Sequence, residues 1–113
     1  MKLKFFNPEQ DPKMVGVDYK LMYKLDLARQ MADIPFIITS GLRSTEKNKE
    51  VSKASNSSHL KGLAVDIACK NPQEAYCIIR GALMAGFERI LLGEGHIHLD
   101  TDPTKTQKVI FVE

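Results

Sequence analysis

The sequence contains no tryptophan, little net charge and no long apolar run. Its 113 residues include 16 basic and 14 acidic side chains, which leave a formal net charge of +2. This near balance excludes a nucleic-acid interface built on bulk positive charge. No apolar run approaches the roughly 18 residues that a membrane-spanning helix needs. We therefore expect no nucleic-acid partner and no membrane span.

Cysteine is also scarce. Cys69 and Cys77 are too few for a disulfide scaffold or for a zinc knuckle. The first residues contain no apolar stretch of the length found in signal peptides. We expect reduced thiols and a protein that is made in the cytoplasm without a signal peptide.

The remaining composition is that of an ordinary globular protein. Hydrophobic residues make up 43% of the chain and charged residues 27%. The sequence has no internal repeat and no linker that would separate two domains. We predict a single domain over residues 1–113 and a monomer.

Hydrophobic spacing and helix-capping residues predict an α+β fold with a small, mostly antiparallel sheet and helices packed on it. One helix follows Asp18 as N-cap, a short one follows Ser44 over residues 46–51, and another follows Asn71 and ends near Gly86. The predicted strands are residues 36–39 (a buried strand), 63–68, 89–92, 96–99 and 109–112.

Asp66 is the most informative single residue. It lies inside an otherwise apolar strand, on the face that also carries Ala64 and Ala68. A charge in such a place is costly unless something pairs with it, and a metal ion is one solution. His59 precedes Asp66 by seven residues, and a turn at Gly62 would bring the two side chains together.

A second group of polar residues lies in the segment 93–100. If this segment is extended, Glu94, His96, His98 and Asp100 share one face. Two histidines and one aspartate with a position left for water form the ligand pattern of catalytic zinc sites. The alternative is that these histidines are ordinary surface residues.

Three motifs extend this pattern. Residues 57–66, from Ser57 to Asp66, match S-x-H-x-x-G-x-A-x-D at every fixed position. This resembles the motif of the zinc D,D-carboxypeptidase and L,D-endopeptidase family, peptidase family M15, which shares the fold of the hedgehog domain. The segment Ser40–Ser44 resembles the family's S-G-Y-R-S element, and residues 98–100 its closing H-x-D.

The resemblance implies a function and a site. His59, Asp66 and His98 would be the zinc ligands. Arg43 would bind the substrate carbonyl or its oxyanion, because a guanidinium stays charged and donates in a fixed fork. Ser57 would order the ligand loop by hydrogen bonding and contribute to substrate binding, and the alternative is that Ser57 is an ordinary loop serine.

At the position of the general base, the sequence departs from the family pattern. Family members place an acid or a histidine three residues before the last ligand, where this chain has Gly95. Glu94 is our first candidate for the base, and His96 is the second or an oxyanion donor. His96 and His98 could also exchange roles, and Asp100 could orient a ligand histidine.

The resemblance therefore predicts a zinc metallopeptidase that cuts peptidoglycan stem peptides next to a D-amino acid. The bond would be D-Ala-D-Ala, as in carboxypeptidases, or L-Ala-D-Glu, as in phage endolysins. The short chain, without a signal peptide or an appended wall-binding module, favours a phage or prophage lysis enzyme, or a catalytic core, that reaches the cell wall by another route. The alternative function is a catalytically weak, zinc-stabilised binding module of the same fold.

Overall fold

The computed structural model describes residues 3–7, 11–41 and 58–113. The predicted α+β class and mostly antiparallel sheet are confirmed in this part of the chain. Its two α-helices are α1 (Tyr19–Ala32) and α2 (Pro72–Met84). Its strands are β1 (Ile38–Ser40), β2 (Ala64–Ala68), β3 (Arg89–Gly93), β4 (His96–Asp100) and β5 (Val109–Val112).

Both helices begin at the capping residues that the sequence indicated. The Asp18 carboxylate accepts hydrogen bonds from the backbone N–H groups of Lys20 and Leu21 at 3.0 and 3.3 Å. The Asn71 side chain accepts one from the N–H of Glu74 at 2.9 Å. These bonds satisfy N–H groups that have no partner inside the first helical turn.

The sheet has the strand order β1-β2-β4-β3-β5. Its neighbours pair antiparallel, except for β3 and β5, which are parallel. Strand β4 is therefore the middle strand, between β2 and β3. Since side chains alternate across a strand, one face of this central region can be apolar while the other carries polar groups.

The apolar face of the sheet packs on the two helices. The buried core includes Leu21, Leu25 and Ala28 of α1, Ile78 and Ala82 of α2, and strand residues from the middle of the sheet. These strand residues are Val65, Ile67, Ile90, Ile97 and Leu99. The opposite face of the same strands is thus the one that can hold a site.

The first strand differs from its prediction. Residues 36–39 were expected to form a buried strand, whereas β1 covers Ile38–Ser40 at an edge of the sheet. Ile38 is buried, but the Ile37 side chain is 58% exposed. The register with β2 is irregular between Ile38 and Ser40. An apolar run does not distinguish an edge strand from a central strand.

No helix in the described part of the chain is long and apolar enough to cross a membrane. The helix predicted over residues 46–51, with Ser44 as its cap, lies outside the described residues.

Candidate metal centre and its surroundings

Strand pairing places Asp66 directly beside His98. The two residues are partners in the antiparallel register of β2 and β4. They lie on the face of the sheet opposite the core residues Val65, Ile67 and Ile97. The Nδ1 atom of His98 is 3.1 Å from Oδ1 of Asp66.

His59 reaches the same carboxylate from a 3₁₀ turn, Ser58–Lys61, that precedes β2. Gly62 connects the turn to the strand with a φ of +71°, and a Cβ there would lie 2.6 Å from the carbonyl oxygen of Gly16. Only glycine fits such a backbone and such a contact. The sharp turn at Gly62 that the sequence indicated is therefore present.

A backbone carbonyl fixes the orientation of the His59 ring. Its Nδ1 atom lies 2.8 Å from the carbonyl oxygen of Gly41. Because a carbonyl only accepts hydrogen bonds, Nδ1 must carry the proton and donate it. The other ring nitrogen, Nε2, is 3.2 Å from Oδ1 of Asp66.

Three donor groups thus converge on one place. One ligand atom each from His59, Asp66 and His98 lie within 4.8 Å of one another. His59 and His98 are buried, and the Asp66 side chain is 14% exposed. The group lies at the junction of the 3₁₀ turn, β2 and β4, where solvent still reaches the carboxylate.

Charge pairing dominates the titration of this group. Burial by itself would raise the pKa of Asp66, but hydrogen bonds and charge interactions with His59 and His98 hold that pKa well below its usual range. Burial likewise would lower the pKa of His98. Hydrogen bonds to Asp100 and Asp66 outweigh burial and raise the pKa of His98 to about 9.

A second carboxylate binds the far side of the His98 ring. Nε2 of His98 lies 2.7 Å from Oδ2 of Asp100, and Arg89 donates to the same oxygen from Nε at 3.0 Å. The His98 ring therefore lies between two carboxylates, Asp66 at Nδ1 and Asp100 at Nε2.

The two candidates for the general base are placed differently from the extended segment that the sequence suggested. Glu94 lies in the exposed turn between β3 and β4, so it does not continue the face of β4. His96 starts β4 on the same face as His98. Its Nε2 atom is 3.3 Å from Oε2 of Glu113, beyond the end of β5.

The model of one protein family matches this chain over residues 3–100, which is most of its length. That model is described as peptidase M15. The chain belongs to the peptidase M15 family.

A solved structure supports this membership and the M15 fold. The chain is similar to the L-Ala D-Glu endopeptidase ChiX of Serratia marcescens, with 25% sequence identity and a TM-score of 0.60. The match covers 79% of this chain and 84% of the ChiX chain. A search of curated proteins found no significant match.

Two residues that the M15 resemblance singled out, Arg43 and Ser57, lie outside the described residues. Their roles remain predictions. The described neighbours of that segment are Gly41, whose carbonyl binds His59, and Ser58, which begins the 3₁₀ turn.

Sequence reasoning missed Asp102 in this M15 domain. Its side chain is fully buried and accepts hydrogen bonds from Oγ of Ser58 at 2.9 Å and from Nζ of Lys61 at 3.1 Å. Asp102 thereby ties the turn that carries His59 to the chain that leaves β4. The only sequence signal was its spacing, since Asp102 continues the alternation of His98 and Asp100.

Proposed function

We propose that this M15 peptidase is a zinc-dependent enzyme that hydrolyses the bond between L-Ala and D-Glu in peptidoglycan stem peptides. The convergence of His59, Asp66 and His98 in a chain of this family is the observation that carries the proposal. The choice of bond is supported by the similarity to ChiX, an L-Ala D-Glu endopeptidase.

The donor set suits a catalytic zinc ion. Imidazole nitrogen and carboxylate oxygen are common zinc ligands, and catalytic sites use three protein ligands with one position left for water. Each histidine has one ring nitrogen bound to an acceptor, Gly41 O for His59 and Asp100 for His98. The other nitrogen of each ring faces Asp66. The rings are thus already oriented for a shared ion.

When bound, zinc would acidify a water molecule and polarise the scissile carbonyl. In the reaction, water oxygen bonds to the carbonyl carbon, the C–N bond breaks and the leaving amine takes a proton. Arg43 is proposed to bind the developing oxyanion. The chain must also supply a group that accepts the proton of the water and passes it to the amine.

His96 is the better placed candidate for this proton transfer. It shares the face of β4 with His98, two residues away, whereas Glu94 lies in the exposed turn. To act, the His96 ring must leave Glu113. Glu94 is the alternative base.

Mass spectrometry of defined muropeptides provides the test. We expect zinc-loaded protein to release the stem peptide from L-Ala, and we expect a chelator to abolish the release. Chelator-sensitive release of terminal D-Ala would instead make the protein a D,D-carboxypeptidase. A zinc-loaded protein that forms neither product would contradict the peptidase proposal.

The second candidate function is a zinc-stabilised binding module with weak catalysis. Two observations favour it: Glu94 is in a turn, and His96 binds Glu113. This candidate predicts zinc binding and muropeptide binding without any cleavage product. Equilibrium dialysis with labelled muropeptide, run beside the mass spectrometry, separates it from an inactive preparation.

A further inference from the structure

One buried carboxylate lies behind the candidate metal centre. We propose that Asp100 is a positioning residue, which holds the His98 ring so that Nδ1 faces Asp66 and the metal. This inference rests on the proposed metal site at His59, Asp66 and His98. It adds that Asp100, which does not contact the ion, determines which nitrogen of His98 coordinates the metal.

The positions of Asp100 and His98 along β4 make the contact direct. Residues two apart in a strand lie on the same face, so Asp100 follows His98 beside it. The distance of 2.7 Å from Nε2 of His98 to Oδ2 of Asp100 is short for an N–H···O hydrogen bond. Asp66 contacts the other nitrogen, so the two carboxylates lie at opposite edges of one ring.

Asp100 is itself held rigidly, as a positioning residue must be. Its side chain is fully buried, and Oδ2 accepts a hydrogen bond from Arg89, its cross-strand neighbour in β3. The other oxygen, Oδ1, accepts from the backbone N–H of Asp102 at 3.1 Å. Ala64, its partner in β2, is small and leaves room for this carboxylate.

Arg89 is fixed in turn by groups from other elements. It donates from Nη1 to the carbonyl oxygen of Thr106 at 3.0 Å, and its guanidinium carbon lies 5.1 Å from the ring centre of Phe111. The chain of contacts therefore runs from β5 through Arg89 and Asp100 to His98.

This arrangement makes Nδ1 of His98 the nitrogen available to a metal. A carboxylate that accepts the proton of one ring nitrogen fixes the ring orientation and makes the other nitrogen a stronger ligand. In an Asp100→Asn variant, the uncharged amide has one oxygen where the carboxylate has two. If that oxygen stays toward His98 and Arg89, the NH2 group faces the backbone N–H of Asp102, donor against donor, and the negative charge beside the His98 ring is lost.

The test compares Asp100→Asn with Asp26→Asn. Both changes replace a carboxylate whose two oxygens accept hydrogen bonds by an uncharged amide. Asp100 bonds to the imidazole of His98, whereas Asp26 in α1 accepts from the backbone N–H groups of Lys4 and Phe5. Zinc affinity is measured by competition with a chromogenic chelator, and folding is checked by circular dichroism.

We expect Asp100→Asn to weaken zinc binding about 10- to 100-fold, the usual effect of losing such a partner. We expect Asp26→Asn to change the affinity by less than about 3-fold, because the Asp26 side chain bonds to the chain before α1 and not to a ligand residue. Equal losses in the two variants would overturn the positioning role while leaving the metal site intact. Failure of the wild-type protein to bind zinc would instead refute the metal site and, with it, this inference.

The wild-type protein allows a second test that needs no variant. In zinc-loaded, 15N-labelled protein, long-range correlation spectra of the imidazoles distinguish a protonated nitrogen from a metal-bound one. We expect His98 to show a protonated Nε2 and a metal-bound Nδ1. A metal-bound Nε2 would overturn the proposal even if Asp100→Asn failed to fold.

Discussion

The imidazole of His98 lies between Asp66 and Asp100, which makes it the most constrained residue of the site. Its two nitrogens are 3.1 and 2.7 Å from these carboxylates. Two acids on one ring explain why its pKa is raised to about 9 in spite of burial. At the scale of single residues, the site therefore depends on which group binds each nitrogen of the His98 ring.

The first prediction concerns the three residues that converge. Replacing His59 or His98 by Ala removes one of three ligands and should abolish stoichiometric zinc binding. Metal content after dialysis, measured by atomic absorption, checks this. His96→Ala is the matched control, because it removes an imidazole of the same strand that bonds to Glu113. Zinc retained by a folded His98→Ala protein at the wild-type level would contradict the assigned ligands.

The second prediction separates the two candidates for the general base. His96→Ala should lower kcat about 10²- to 10⁴-fold with zinc content unchanged, the range typical of lost acid–base catalysis. Glu94→Gln should leave kcat near the wild-type value, because Glu94 lies in an exposed turn. Steady-state kinetics on a muropeptide checks both. The opposite pattern would assign the base to Glu94.

At the scale of elements, the helices and the 3₁₀ turn are held by close contacts of small or buried groups. Helices α1 and α2 approach closely at Gly81, where a Cβ would overlap the carbonyl oxygen of Ala28 and the Cβ of Ala32. The turn that carries His59 is tied by Asp102. Each contact joins parts of the chain that are distant in sequence.

The third prediction tests the helix contact. Gly81→Ala adds a methyl group where α1 leaves no space, which should cost about 1–3 kcal/mol of stability. The better helix propensity of alanine offsets up to about 1 kcal/mol of this. Urea denaturation measures the net loss. Gln73→Ala, on the exposed surface of α2, should be within about 0.5 kcal/mol of wild type. A stabilised Gly81→Ala protein would disprove the close packing.

The fourth prediction uses the buried carboxylate of Asp102. Burial alone would raise its pKa, but hydrogen bonds from Thr104, Lys61 and Ser58 outweigh burial and keep that pKa well below its usual range. The ionised carboxylate therefore stabilises the fold above about pH 3.9, the ordinary value for aspartate. This stabilisation is lost as the pH falls toward the lower pKa of the folded state.

Asp102→Asn should therefore cost about 1–3 kcal/mol at pH 7, the usual penalty for an unsatisfied buried partner. The difference from wild type should narrow as the pH falls below about 4. Urea denaturation of the two metal-free proteins at several pH values measures this difference in the free energy of unfolding. A difference that stays constant from pH 7 to pH 3 would show that charge is not the cause.

At the scale of the whole molecule, the candidate metal centre joins three separate parts of the chain. His59 comes from the 3₁₀ turn, Asp66 from β2 and His98 from β4, and Gly41 after β1 contributes the carbonyl that orients His59. An ion bound there would link the 3₁₀ turn to the neighbouring strands β2 and β4. Metal binding and global stability should therefore be coupled.

The fifth prediction follows from this coupling. Zinc at about 100 times its dissociation constant should add about 2.7 kcal/mol to the free energy of unfolding and so raise Tm. Differential scanning calorimetry with and without zinc measures the shift. His59→Ala protein should show a much smaller shift. An equal shift in both proteins would place the ion elsewhere.

The sequence by itself determined the fold class, the capped ends of both helices and the family. These features depend on local patterns: Asp18 and Asn71 bind N–H groups three residues away or less, and the motif of residues 57–66 is continuous. The same motif placed His59 near Asp66, because Gly62 permits the turn between them.

Tertiary structure alone decided the wider surroundings of His98, namely the positions of Arg89, Glu94 and His96. The pairing of β3 with β4 brings Arg89 to Asp100, and the turn between these strands removes Glu94 from the face of β4. The contact of His96 with Glu113 depends on the parallel pairing of β5 with β3. Contacts of this kind also join residues far apart in sequence, such as Ser58 and Asp102, which are 44 positions apart, and no local spacing encodes them.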